Sequence, residues 1–342
     1  MPDSIYSAGN YLLPVIQEPQ KMLRVLFLLS PCLLWITPVH AQPAAYPERS
    51  VRVIVPFPPG GPPDILARAL AEPFRDRFRQ PLVIDNRSGA SGNIGAEIAA
   101  KAAADGHTLI VMPDTGITVN SHILKTSGFD PARDLTPVTL LTRFSQMLLC
   151  HTGVPAKTVA ELVVLAATQP LTYASGGAGA PNHLAMELFT LHTGAKMRHI
   201  PYKGAAPAAL DVLAGQVHCA FLPIPTVLAH IGSGRMHPIA VSSTTRSPMA
   251  PQVPTVAEAG FKDYDATFYV ILAAPRSIAE PIKQSLAAFA GEALARPDVQ
   301  ERVLTATDQA RVGGSPKEAA EKLRAISAKW EKVIKRIGLT SE

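Results

Sequence analysis

Three glycine-rich loops hold the residues most able to do chemistry, and that chemistry is anion capture by backbone N–H groups. The first reads Pro56-Phe-Pro-Pro-Gly-Gly-Pro-Pro-Asp64, the second Asn86-Arg-Ser-Gly-Ala-Ser-Gly-Asn-Ile-Gly95, and the third Ser175-Gly-Gly-Ala-Gly-Ala-Pro-Asn-His183. Each falls between a strand-like run and a helix-like run. Gly60 and Gly61 let backbone approach a ligand, and Pro62 fits a first helical turn, where its missing N–H costs nothing. The free N–H groups of such a turn attract an anion, with about 0.3–1 kcal/mol from the helix dipole. Asp64 has two open readings: it satisfies those donors itself, or it meets the ligand.

The templates for enzymes do not fit. The first loop lacks the Lys-Ser/Thr that closes a P-loop, and Gly177-Ala-Gly179 continues into Ala-Pro-Asn instead of a dinucleotide fingerprint. Gly89-Ala-Ser91-Gly92-Asn93 has Asn where a nucleophile elbow ends in glycine. Lys203, in Pro201-Tyr-Lys-Gly204, reads as a solvated or carboxylate-pairing lysine. No nucleophile, base and orienting group assemble, so no catalytic residue, cofactor or metal is expected.

The elements that must position these loops alternate. Strands are predicted at Val51–Val55, Leu82–Ile84 and Leu109–Met112, with helices over Asp64–Phe78 and Gly95–Ala104. A second cycle runs through Ser145–Cys150, Val159–Ala167, Leu171–Ser175, His183–Thr193, Arg198–Ile200, Ala205–Ala214, Val217–Leu222 and Pro238–Ser242. Phe268–Ala274 is an apolar strand, and two helices, Ala279–Ala295 and Pro316–Ile337, close the chain. This βαβ rhythm predicts an α/β protein with mostly parallel sheets in two lobes around a cleft. The loops then lie at the carboxyl ends of strands, where open parallel sheets bind ligands. The expected division is 46–143 with 269–342 as one lobe and 144–268 as the other.

Residues 22–41, MLRVLFLLSPCLLWITPVHA, read as a cleavable export signal: Arg24 before an apolar run, then Val39-His40-Ala41. The run is too short to span a bilayer, which takes about 20 residues. Translation is expected to start at Met22, the mature chain at Gln42, and the destination is periplasmic. Cys150-His151 and His218-Cys219 raise a metal site. Both pairs lie in strand-like runs, where neighbouring side chains point to opposite faces, so buried free thiols are expected and pairing stays open. The net charge of +5 is spread without a basic cluster, which argues against nucleic-acid binding.

Together these blocks resemble the Bug family, the solute-binding proteins of tripartite tricarboxylate transporters. The resemblance runs from Tyr46-Pro47 to about Gly338. It is carried by Ile54–Gly61, Asp64, Asn86–Gly95, Asp105-Gly106, Pro201–Gly204, Gly215-Gln-Val217 and Val253–Gly260. It implies a type II periplasmic-binding-protein fold, a hinge of crossing strands, and a small organic carboxylate as ligand. The resemblance implies membrane subunits of such a transporter as partners; a sensory module serving a sensor kinase is the alternative reading of the same pocket, and a monomer is expected. The positions expected at the ligand are Phe57, Gly60, Gly61, Pro63, Asp64, Ser91, Gly92, Asn93, Thr115, Ser175, Gly179, Ala180, Pro181, His183, Tyr202, Lys203 and Leu222. Pro63, Ala180, Pro181 and Leu222-Pro223 stand where the family usually has polar residues. That loss points to a less polar acid, such as an aromatic monocarboxylate, unless these residues lie outside the pocket.

Overall fold

The computed structural model describes residues 46–123, 129–301, 303 and 307–340. The export signal lies outside the described residues. Eleven strands are described: β1 (Val51–Val55), β2 (Leu82–Asn86), β3 (Thr108–Pro113), β4 (Leu135–Phe144), β5 (Gln146–His151), β6 (Leu171–Ser175), β7 (Met197–Pro201), β8 (Cys219–Pro223), β9 (Met236–Val241), β10 (Phe268–Pro275) and β11 (Gln309–Gly313). They form a six-stranded sheet in the order β11-β4-β10-β3-β1-β2 and a five-stranded sheet in the order β7-β6-β8-β5-β9.

The expected α/β architecture is present, with the parallel character more restricted than a mostly parallel sheet. Parallel pairing holds for β2-β1-β3 and β7-β6-β8. Strands β4, β5, β9, β10 and β11 add antiparallel neighbours, so both sheets are mixed. β1 illustrates the local cause: Val-Arg-Val-Ile-Val is β-branched and almost wholly buried, as suits a central strand covered on both faces.

Two elements escape the sequence pattern for physical reasons. β4 carries Pro137, which cannot donate to a ladder and argues against a central strand. Here Pro137 sits opposite Ala273 at an irregularity in the β4–β10 register, so the missing N–H is tolerated. β11, Gln-Ala-Arg-Val-Gly, is a short, largely polar edge strand with little apolar signal. The predicted helix 64–78 is also two helices, Pro62–Ala69 and Ala71–Phe78, that meet at Leu70.

The chain crosses between the sheets at two places. Only Ser145 separates β4 from β5, and residues 242–267 lead from β9 back to β10. The crossings are tied together at Ser242. Its N–H donates to the Gln146 carbonyl, its Oγ accepts the Gln146 N–H at 2.9 Å, and its hydroxyl donates to the Ala266 carbonyl. The closing helix Pro316–Ile337 starts with a reciprocal Ser315–Glu318 capping box and ends at Gly338 in the left-handed region. It buries Trp330 against Phe268, the rings 5.7 Å apart and nearly parallel.

The free-thiol expectation is corrected. Cys150 and Cys219 face each other in the β5–β8 pairing and are joined as a disulfide. The alternation of side chains across a strand turns the adjacent histidines elsewhere. His151 accepts the Gly153 N–H and His218 the Thr172 N–H through their Nδ1 atoms.

Candidate ligand-binding site

A cavity of about 240 Å³ opens between the two sheets. Its walls come from the carboxyl ends of β1, β3, β4, β6, β7 and β8 and from the first residue of β5. The β1 side contributes Phe57 to Pro63, with Pro113 and Phe144 beside it; the facing side contributes Gln146, Gly176, Ala180 to Asn182, Gly204 to Ala206, Pro223 and Thr226.

Four helices begin at this cavity: Pro62–Ala69, Pro181–Thr193, Ala205–Leu213 and Ile224–Gly232. In none of them does the N-cap side chain bond the first turn, although in Pro181–Thr193 the Asn182 Oδ1 accepts the His183 N–H. Each N-terminus carries partial positive charge, so their fields add where they converge. Among the described residues no charged side chain lines the cavity; the polar side chains there are Gln146, Asn182 and Thr226. Seven of the lining residues are prolines (58, 59, 62, 63, 113, 181 and 223), which stiffen the walls and withhold N–H donors. An anion would be held by main-chain donors of the other helix starts in an otherwise apolar chamber, since Pro62 and Pro63 have no N–H and the Asp64 N–H is bonded to the Gly61 carbonyl.

Of the residues expected at the ligand, Phe57, Gly60, Gly61, Pro63, Ala180 and Pro181 line this cavity. The others do not. Asp64 is buried behind the first loop and builds it. Its carboxylate accepts the Gly60 N–H at 2.9 Å, an Asn86 amide N–H at 3.0 Å and two bonds from Arg68. Burial pushes this carboxyl up, but the hydrogen bonds from Arg68, Gly60 and Asn86 outweigh it and hold it below the usual range. Its main-chain donor is Gly60, which precedes the first helical turn, so Asp64 does not take up the N–H groups of that turn. Asn86 also donates to the Phe57 carbonyl, so the loop is fixed from both ends.

The second loop supports the site without lining it. At Gly92, φ is +92°, and an added Cβ would lie 3.2 Å from the Phe57 ring, so this glycine lets the ring rest on backbone. Asn93 accepts from the Asn120 amide at 2.9 Å and donates to the Ala90 carbonyl. Ser91 and Asn120 abut the third loop: a Cβ on Gly177 would come within 2.9 Å of Ser91 Oγ, and one on Gly179 within 3.2 Å of Asn120 Oδ1. Ser91, Gly92 and Asn93 therefore shape the contact between the loops.

The third loop hangs on a buried histidine network. Ser175 Oγ accepts the Gly177 N–H and lies 2.5 Å from His199 Nε2. The Gly179 N–H donates to His183 Nδ1, which leaves the proton on Nε2, 3.7 Å from Glu187. The His183 and His199 rings stack 4.1 Å apart, and the Tyr173 hydroxyl donates to Glu187. Burial, and then the neighbouring His199, pushes His183 down to about 3; burial alone brings His199 to about 4. Both rings are neutral at physiological pH.

The remaining expected positions lie outside the lining. Thr115 is buried in the one-turn helix that follows β3. Just before it, fully buried Asp114 has its carboxyl pushed up to about 7 by desolvation. Tyr202 packs on the core and donates to Asp211 at 2.5 Å, while Lys203 is exposed. Leu222 points into the core of the five-stranded sheet because its register places Pro223, the next residue, at the cavity. Gln146, Gly204 to Ala206 and Thr226 are the main lining residues that sequence reasoning missed. Gln146 sits at the crossing, where no motif marks it; the Ala205–Leu213 helix start was legible, since Gly204 ends the Pro-Tyr-Lys-Gly block.

Two mixed sheets with their helices, two crossings and a cavity between them define a bilobed periplasmic-binding-protein architecture. Residues 66–339 match the family described as the Tripartite tricarboxylate transporter family receptor, TctC. The chain belongs to this family of solute-binding proteins. It is 34% identical over 304 residues to Protein BugT of Bordetella pertussis (strain Tohama I), covering 88% of this chain and 92% of that one. Among solved structures it resembles R. palustris Rpa4515 with adipate, with 35% identity and a TM-score of 0.81, covering 87% of this chain and all of that one. It also resembles MatC (Rpa3494) from Rhodopseudomonas palustris with bound malate, with 30% identity and a TM-score of 0.77, covering 84% of this chain and all of that one. No helix among the described residues is long and apolar enough to cross a membrane.

Proposed function

We propose that this chain is an exported receptor that captures a small organic carboxylate in the cavity between its sheets and delivers it to the membrane subunits of a tripartite transporter. The observation that carries the reading is the convergence of four helix N-termini, none bonded by its N-cap side chain, on a chamber without charged side chains. Adipate and malate in two related structures support a carboxylate. The proposed lobes, 46–143 with 269–342 and 144–268, follow sheet membership to within a residue, and closure would turn about the Ser242 knot.

Pro63, Ala180, Pro181 and Pro223 line the cavity, so each departure from the family's polar pattern bears on the ligand, although Leu222 itself lies in the core. A ligand with many hydroxyls or charges would leave groups unpaired there, at about 1–3 kcal/mol each. The ligand is therefore a less polar acid, either aromatic or straight-chain. Native mass spectrometry of protein expressed from Met22 tests this through co-purified ligand, and its intact mass reports whether the chain begins at Gln42. Thermal-shift titration with citrate, malate, hexanoate and benzoate completes the test. A larger shift with hexanoate or benzoate than with citrate is expected; the reverse order overturns the less polar assignment, and no shift with any acid overturns the carboxylate reading.

A further inference from the structure

The cavity has two unlike faces. Its polar side chains, Gln146, Asn182 and Thr226, all belong to the five-stranded side. The helix starts left to hold an anion, those of Pro181–Thr193, Ala205–Leu213 and Ile224–Gly232, stand on that side too. The opposite side presents two phenylalanines, five prolines and two glycines, and the Gly60 N–H is already spent on Asp64.

One polar group on the five-stranded side is held in a fixed direction. Asn182 lines the cavity and is 3% exposed. Its Oδ1 accepts two main-chain bonds, from the Gly176 N–H at 3.0 Å and the His183 N–H at 3.1 Å. Both partners are donors, so the amide stands only one way round, with the oxygen towards them and Nδ2 turned away. That Nδ2 makes no hydrogen bond among the described residues, yet it is not shut off from solvent. A buried amide nitrogen that opens on a cavity is satisfied by an acceptor placed there.

Resting on the carboxylate reading of this cavity, we propose that Asn182 is a specificity-determining residue whose Nδ2 donates to one oxygen of the ligand's carboxylate, and that the ligand has a single polar head. The head lies on the five-stranded side and the apolar body against Phe57, Phe144 and the prolines. The preferred class is then a monocarboxylate with an unsubstituted aliphatic or aromatic body. A second carboxylate at the far end would be pressed against rings and prolines, which cannot donate to it.

Calorimetric titration with two matched series tests this: hexanoate, adipate and hexanamide; benzoate, terephthalate and benzamide. In the series that binds, the wild-type protein is expected to hold the monocarboxylate at least about tenfold tighter than the dicarboxylate, a comparison that needs no variant. Asn182→Asp keeps an oxygen for the Gly176 and His183 N–H groups and exchanges only the free donor for an acceptor. It should therefore fold, weaken the monocarboxylate at least about tenfold and strengthen the carboxamide, whose N–H can donate to the new oxygen. A new charge that acted only through its field would also weaken the acid but would leave the neutral carboxamide where it was. A dicarboxylate that binds tighter than its monocarboxylate, or a carboxamide whose affinity does not rise in Asn182→Asp, overturns the proposal while leaving the carboxylate reading intact. No binding by any of the four acids to the wild-type protein overturns both.

Discussion

The two walls of the cavity solve one problem with opposite chemistry. The Pro56–Asp64 wall satisfies its buried polar groups with a charged network, Asp64 taking donors from Gly60, Asn86 and Arg68, and stiffens the rest with proline. The Ser175–His183 wall uses glycines, a serine and two neutral histidines, and the sheet behind it carries a disulfide. Local bonding thus sets the first wall, while the second depends on its sheet staying assembled and its histidines staying uncharged. The second wall is the one that solution conditions should disturb.

The largest test of this difference removes the Cys150–Cys219 bond. The cysteines are 69 residues apart, so the loop they close takes considerable freedom from the unfolded chain. Cys150→Ser with Cys219→Ser, or reduction, should cost about 2–4 kcal/mol, read as a lower denaturation midpoint in urea. The loss should fall on the five-stranded half: hydrogen exchange should speed up in β5, β6 and β8 before it does in β1 and β3. Uniform acceleration in both sheets would show that the halves do not differ in this way.

Acidification should separate the walls next. His183 has an unfolded pKa near 6.5 and a folded value of about 3. Between those values the unfolded chain binds the extra proton, so this stability is complete above pH 6.5 and declines as the pH falls towards 3. At pH 5 the loss is about 2 kcal/mol for one such group, and His199 acts in the same direction within the same cluster. In the six-stranded sheet the signs differ. Asp64 stays ionised until the pH falls below the usual carboxylate range. Asp114, raised to about 7, binds its proton more readily folded than unfolded, so lowering the pH from 7 to 4 favours the folded form. Regional hydrogen exchange at pH 7 and pH 5, corrected for the intrinsic rates, should show weaker protection near His183 and equal or stronger protection near Asp114. Equal loss at both places would remove the distinction.

The sequence made one wall more legible than the other. The first loop announced itself because glycine, proline and a following aspartate each carry a local conformational meaning, and four of its expected residues, Phe57, Gly60, Gly61 and Pro63, line the cavity. The expected positions that lie outside the cavity lining do so for tertiary reasons. Leu222 and Pro223 differ only in register, which pattern cannot fix when both neighbours are apolar. His183 and Ser175 read as ligand groups because they are polar residues in a glycine loop, but they are used to hold that loop. Gln146 gave no local signal, since its role arises from a strand that starts where the chain changes sheets. Strand β4 stayed hidden behind Pro137, whose cost is met by an irregular partner that is invisible from the chain itself.

The smallest effect tests whether the glycines of the second wall matter for backbone freedom or for the contact across the cleft. Gly177 and Gly194 form a matched pair. Both have positive φ, +119° and +74°; alanine is strained by about 1 kcal/mol at Gly194, in the left-handed region, and by more at Gly177, outside it. Gly194 ends the helix Pro181–Thr193, and an added Cβ there meets nothing within 4 Å. A Cβ on Gly177 meets Ser91 Oγ of the second loop at 2.9 Å. Gly194→Ala should therefore lose stability and keep its affinity for whichever acid binds best. Gly177→Ala should lose at least as much stability and also bind about three- to tenfold more weakly, because closing the loops together now requires Ser91 to move. Adding Ser91→Gly to Gly177→Ala removes the obstruction and should restore affinity without restoring stability. Recovery of neither would mean that the third loop meets its ligand through backbone conformation alone, and that the two walls do not need to touch.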